Sequence, residues 1–165
     1  MSWSDRRTLL SGLAAALALQ GCGFTPLYGP NSPATRLQNS IAIAPLEGRF
    51  GFEMRQQLEA RLGPADAPRY LLDITPQLTS VGSAIRSDNT ITRVNVTGRA
   101  AVVLTDFNGE APLFTANLRN FTAYSTTASA FATDIARQDA ERRLAIALAD
   151  QIVLRLATTA GDWAT

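Results

Sequence analysis

The chain contains no histidine, no lysine and a single cysteine among 165 residues. Without histidine, Ser-His-Asp and Cys-His nucleophilic catalysis are excluded, and with them nearly all zinc sites. No metal ligand set and no catalytic residue is therefore assigned. A carboxylate pair of the kind that cleaves glycosides is still open; none of the acidic residues stands in a recognisable motif, and the competing reading is solvated surface and helix-terminus groups. Because lysine is missing, all fifteen basic residues are arginine. That points first to genomic base composition, although arginine's planar fork does suit phosphate. An excess of one charge is missing as well. Setting aside Asp5, Arg6 and Arg7 leaves thirteen arginines against thirteen carboxylates, which argues against nucleic-acid binding by bulk charge. The longest apolar stretch, Leu9 to Leu19, has 11 residues, short of the roughly 20 that a spanning helix needs.

What is present begins with Cys22. It follows a short basic start (Arg6, Arg7), the apolar stretch and the small residue Gly21, the layout of a signal peptide with lipoprotein processing. Cleavage before Cys22 removes 21 residues of 165 and leaves 144, a length suited to one domain with one core. Cys22 would become the new N-terminus, carrying diacylglycerol and an N-acyl chain as its only prosthetic group, with no other cofactor implied. Three chains anchor far more firmly than the marginal single one. The competing reading is a lone buried cysteine behind an ordinary secretory signal. Arg6-Arg7-Thr8-Leu9-Leu10 also resembles a twin-arginine export motif, so either export route fits. Gly23 stands where an aspartate would retain a Gram-negative lipoprotein at the inner membrane, which predicts the periplasmic face of the outer membrane.

Residues 22–40 carry Gly23, Pro26, Gly29, Pro30, Asn31, Ser32 and Pro33, a mixture that predicts a flexible tether. Ile41 to Leu46 predicts a short strand. Phe50, Met54, Leu58 and Leu62 recur every four residues, an amphipathic helix stopped by Gly63-Pro64. From residue 69 the period becomes two, predicting strands over about 69–82, 91–106 and 112–125. Asn108-Gly109 suggests a type I′ hairpin, and Gly82 to Asn89 a longer, mobile connection. In the middle strand Val94, Val96, Gly98, Ala100, Val102 and Leu104 share one face; Arg93, Asn95, Thr97 and Arg99 share the other. A helix from about Ser129 to Thr158 follows, striped by Ala136, Ala140, Leu144, Leu148, Ile152 and Leu156, with Gly161 a plausible end. Ala145, Ile146, Ala149, Val153 and Leu154 widen that stripe, through deeper burial in the same core or through contact with a partner. The expected fold is an α+β two-layer sandwich, order β-α-β-β-β-α, in a single domain over 41–165. Two helices would cover one face of a mostly antiparallel sheet of about four strands. The opposite face keeps its arginines and hydroxyls.

Gly21-Cys22-Gly23-Phe24-Thr25-Pro26-Leu27-Tyr28-Gly29 resembles the mature start of the LptE (RlpB) family, the lipopolysaccharide-assembly lipoproteins, and Ser4-Asp5-Arg6-Arg7 is similar to the n-region of alphaproteobacterial members. The rest matches in length and element order. The resemblance implies a non-enzymatic plug inside the barrel of an LptD-like β-barrel partner, helping to assemble it and to deliver lipopolysaccharide to the outer leaflet. It also implies binding of lipopolysaccharide, or a related anionic glycolipid, through basic residues. Which residues do so does not follow from the matching motif. On the strand argument the candidates are Arg86 in the mobile connection, Arg93 and Arg99 on the polar strand face, and Arg119 on the next strand; the alternative for each is a solvated surface charge. Two rival functions remain: an auxiliary lipoprotein of an ABC-type lipid transporter, and a lipid-anchored periplasmic hydrolase using two carboxylates.

Overall fold

The computed structural model describes Gly29, residues 32–85 and residues 91–164. Cys22 and Arg86 lie outside the described residues. In chain order the elements are α1 (Pro33–Arg36), β1 (Ile41–Ile43), α2 (Gly48–Leu62), β2 (Tyr70–Ile85), β3 (Ile91–Asp106), β4 (Pro112–Ser125) and α3 (Ala130–Trp163). The strands form one sheet in the order β1-β2-β3-β4, with β1 parallel to β2 and the other pairs antiparallel. This is the expected α+β architecture.

Period-two alternation sorts the sheet's faces. Leu72, Ile74, Val96, Ala100, Val102 and Leu104 point inward and are buried against Met54, Leu58 and Leu62 of α2 and Leu144, Leu148, Ile152 and Leu156 of α3. Gly98 lets α3 come close: a Cβ there would sit 2.9 Å from Leu148 Cδ1 and 3.1 Å from Leu144 Cδ2. The wide apolar surface of α3 mostly serves this same core, since Ala145, Ala149 and Val153 are buried, while Leu154 stays 53% exposed. By length and composition α3 could cross a bilayer, but half of its most apolar window is buried inside the fold.

Four local expectations differ from what forms. The segment before β1 is not all extended: α1 folds at residues 33–36, Leu37 is 2% exposed within the core, and Asn39 N–H caps Leu62 O at the end of α2. Asn108 and Gly109 do not take the positive φ that a type I′ turn requires. The hairpin instead uses the five residues between Asp106 and Pro112, with Asp106 O accepting from Gly109 N–H and its carboxylate accepting from Asn108 N–H, a longer loop built on an aspartate-led turn. Gly161 does not end the last helix. α3 continues to Trp163, because Ala160 and Ala164 are buried and the Trp163 ring meets Tyr70 edge-on at 5.4 Å. Finally, β2 runs past Gly82 to Ile85, with register shifts between Gly82 and Ala84 and between Ala84 and Ile85.

Candidate functional site

Among the described residues no helix covers the outward face of the sheet, and hydrogen-bond alternation fixes how its side chains are grouped. Thr126 N–H donates to Thr92 O at 3.1 Å, in the register that sets Arg93 opposite Ser125 and Arg99 opposite Arg119. Antiparallel pairs alternate between bonded and non-bonded types. Counting back from Thr92/Thr126, Arg99/Arg119 is a non-hydrogen-bonded pair, the type whose Cα atoms approach to about 4.5 Å. Two exposed guanidinium groups therefore stand side by side, with Gln77 of β2 opposite Arg99 on its other flank.

Of the four arginine candidates, the structure brings together Arg99 and Arg119. Arg93 is on the same face and exposed, but six residues away along β3, about 20 Å at the usual strand rise. Sequence reasoning missed Phe121, which is 75% exposed opposite Thr97 and two residues from Arg119 on the same face. The signal was there in β4's alternation, which puts Phe121 among Asn117, Arg119 and Ser125 and away from Leu118 and Tyr124.

The charge balance of the two layers differs. On the helices, five described arginines are matched by carboxylates: Arg55 with Glu59, Arg61 with Asp150, Arg137 with Asp134 and Glu141, and Arg142 and Arg143 with Asp139; Arg36, Arg49 and Arg155 have no carboxylate partner among the described residues. The hydrogen bond from Arg137 holds the Asp134 carboxyl below its ordinary value, and that from Arg142 does the same for Asp139. Among the described residues, no carboxylate pairs with Arg93, Arg99 or Arg119. The outward rows of β2, β3 and β4 hold one carboxylate, Asp73, opposite Val103 and four residues along β3 from Arg99. Like charges directly opposite each other destabilise a sheet. A phosphate placed between them would turn that repulsion into charge-assisted, two-pronged hydrogen bonds.

Among the described residues no group of histidine, cysteine, aspartate or glutamate could hold a metal ion. Four described clefts contain at most one carboxylate each: Asp134 in one, Glu59 in two and none in the fourth. None of the four supplies the paired carboxyl groups that glycoside cleavage needs.

Residues 30–156, from just before α1 through most of α3, match the family model LptE, lipopolysaccharide-assembly. The chain belongs to the LptE family. No curated protein sequence matches this LptE-family chain, whereas solved structures do. A lipoprotein of Caulobacter crescentus is 26% identical with a TM-score of 0.63, covering 76% of this chain and 93% of its own. Lipoprotein B of Nitrosomonas europaea shares the fold at 11% identity and a TM-score of 0.58, covering 85% of this chain and 94% of its own. Rare lipoprotein B of Shewanella oneidensis does so at 15% identity and 0.51, covering 73% and 93%.

Proposed function

We propose that the protein is a non-enzymatic lipoprotein held by acyl chains on Cys22 at the periplasmic face of the outer membrane. There it seats within an LptD-like β-barrel, helps that barrel assemble, and assists delivery of lipopolysaccharide to the outer leaflet. The observation that carries this reading is the outward sheet face, which no described helix covers, with its Arg99/Arg119 pair that no described carboxylate neutralises, in a chain whose family is lipopolysaccharide-assembly. The inner face is sealed by α2 and α3, so a partner or glycolipid must be met by the outward face or the edges.

The anchor sets the orientation. Gly29 is seven Cα-to-Cα steps from Cys22, a reach of at most about 25 Å. Gly29 O accepts from the Thr35 hydroxyl, and α1 leads into the end of the sheet where β1 pairs with the start of β2. That end faces the membrane. The opposite end of the sheet, where Arg93 lies near the start of β3, is away from it by about the length of β2, roughly 50 Å.

The charge of the face can be tested directly. Replacing Arg86, Arg93, Arg99 and Arg119 by glutamine in the purified lipoprotein lowers its affinity for lipopolysaccharide by a factor of ten or more, while circular dichroism is unchanged. Unaltered binding removes these residues from the site. The family assignment speaks against the ABC-transporter accessory, and the lack of a carboxylate pair in the four described clefts gives no support to the hydrolase.

A further inference from the structure

β4 is an outer strand of the sheet, and its outer edge, which no other described strand pairs, opens onto a cleft. The alternation that leaves Arg99/Arg119 unbonded turns the backbone N–H and C=O groups of Thr115, Asn117, Arg119 and Phe121 away from β3. Phe121 N–H is taken up by the Asn120 side chain at 2.8 Å, which leaves Asn117 and Arg119 at the centre of the edge. Beside them the cleft, of about 500 Å³, is lined by Asn117, Leu118 and Arg119 from β4 and by Gln151, Leu154, Arg155 and Thr158 from one face of α3. Leu154 is exposed, in the half of α3 whose other large apolar residues mostly face the core. Arg155 resembles Arg119 in having no carboxylate partner among the described residues.

We propose that this cleft receives an extended segment of a partner protein, which adds as a fifth strand to β4 and carries an acidic side chain between Arg119 and Arg155. The backbone row supplies main-chain hydrogen bonds, the usual source of affinity in strand addition. Leu118 and Leu154 form an apolar floor for the neighbouring residue of the incoming strand, and the two arginines select its charge. A second copy of this chain fits poorly, because pairing two β4 edges antiparallel about Arg119 sets the arginines of one against those of the other. The proposal goes beyond the outward-face reading and shares Arg119 with it; Arg155, which lines only the cleft, lets each fail alone.

The test is a photo-crosslinking residue at Asn117 of the full lipoprotein in intact outer membranes, combined with Asn117→Pro and Arg155→Glu. Proline at 117 deletes an edge-facing N–H and spares the bonds to β3; a melting temperature within a few degrees of wild type shows that the sheet is kept. The expected crosslink joins Asn117 to a contiguous segment of one partner protein containing Asp or Glu. Arg155→Glu lowers its yield at least tenfold, and reversing the charge of that partner acid restores it; Asn117→Pro, assayed with the crosslinker at Leu154, does the same without rescue. Crosslinks confined to glycolipid or to a second copy, no crosslink, or yields unchanged by either variant overturn the proposal. Retained lipopolysaccharide binding by Arg155→Glu leaves the outward-face reading standing whatever the crosslinks show.

Discussion

Arg99 and Arg119 face each other across β3 and β4 as a non-hydrogen-bonded pair of like charges, with no described carboxylate beside either. A protein selected only for stability would place opposite charges there. Arg119→Glu therefore stabilises the fold by about 0.5–1 kcal/mol, the worth of an opposite-charge cross-strand pair, and raises the melting temperature by roughly 2 °C. The same substitution weakens binding of lipopolysaccharide. Calorimetry and a binding isotherm on one preparation check both; a loss of stability contradicts the placement of the pair.

Gly98 meets α3 where Leu144 and Leu148 descend onto the sheet, and an added Cβ would sit within 3.1 Å of both side chains. Because those leucines are fully buried, they have little room to yield. Gly98→Ala costs about 1–3 kcal/mol by overpacking, read as a lower urea midpoint with an unchanged slope. An unaltered midpoint means that α3 rides higher on β3 than the structure has it.

Trp163 closes the far end of α3. Its indole N–H donates to Thr159 Oγ1 at 3.1 Å and its ring stands edge-on to Tyr70 at 88°. Trp163→Ala loses about 2 kcal/mol, less than a fully buried tryptophan would, because the site is only half-buried. Trp163→Phe keeps the ring contact and loses less than half as much. Thermal melts of the two variants check the order.

The first third of α3 depends on ionised carboxylates. Asp134 and Asp139 have depressed pKa values, through hydrogen bonds from Arg137 and Arg142 respectively. A depressed carboxylate contributes stability above its unfolded pKa and loses it as pH falls through the folded value. The modest contribution is therefore complete at neutral pH and fades below about pH 5. Amide protection factors across residues 130–143 should fall on going from pH 6 to pH 3 before those of 144–157, which pack on the sheet. Equal loss in both segments contradicts the assignment.

Periodicity made the main elements legible. Met54, Leu58 and Leu62 every four residues, and Val96, Ala100, Val102 and Leu104 at even positions, mark one face each, and those faces are buried. What periodicity could not convey depends on distant partners. Leu37 is buried because Asn39 reaches the end of α2, and α3 passes Gly161 because Trp163 finds Tyr70. The arginine candidates were legible as a polar face, but the Arg99/Arg119 pairing depends on the register between β3 and β4. Arg155 reads from the sequence as one more polar helix residue; only the approach of α3 to the β4 edge gives it a neighbour in Arg119.

The most direct test of the proposed function is affinity purification of the lipid-anchored chain from solubilised outer membranes, followed by quantitation of what accompanies it. One large β-barrel protein in roughly equimolar amount is expected, together with bound lipopolysaccharide. Recovery of the folded lipoprotein free of any barrel protein contradicts the proposed function.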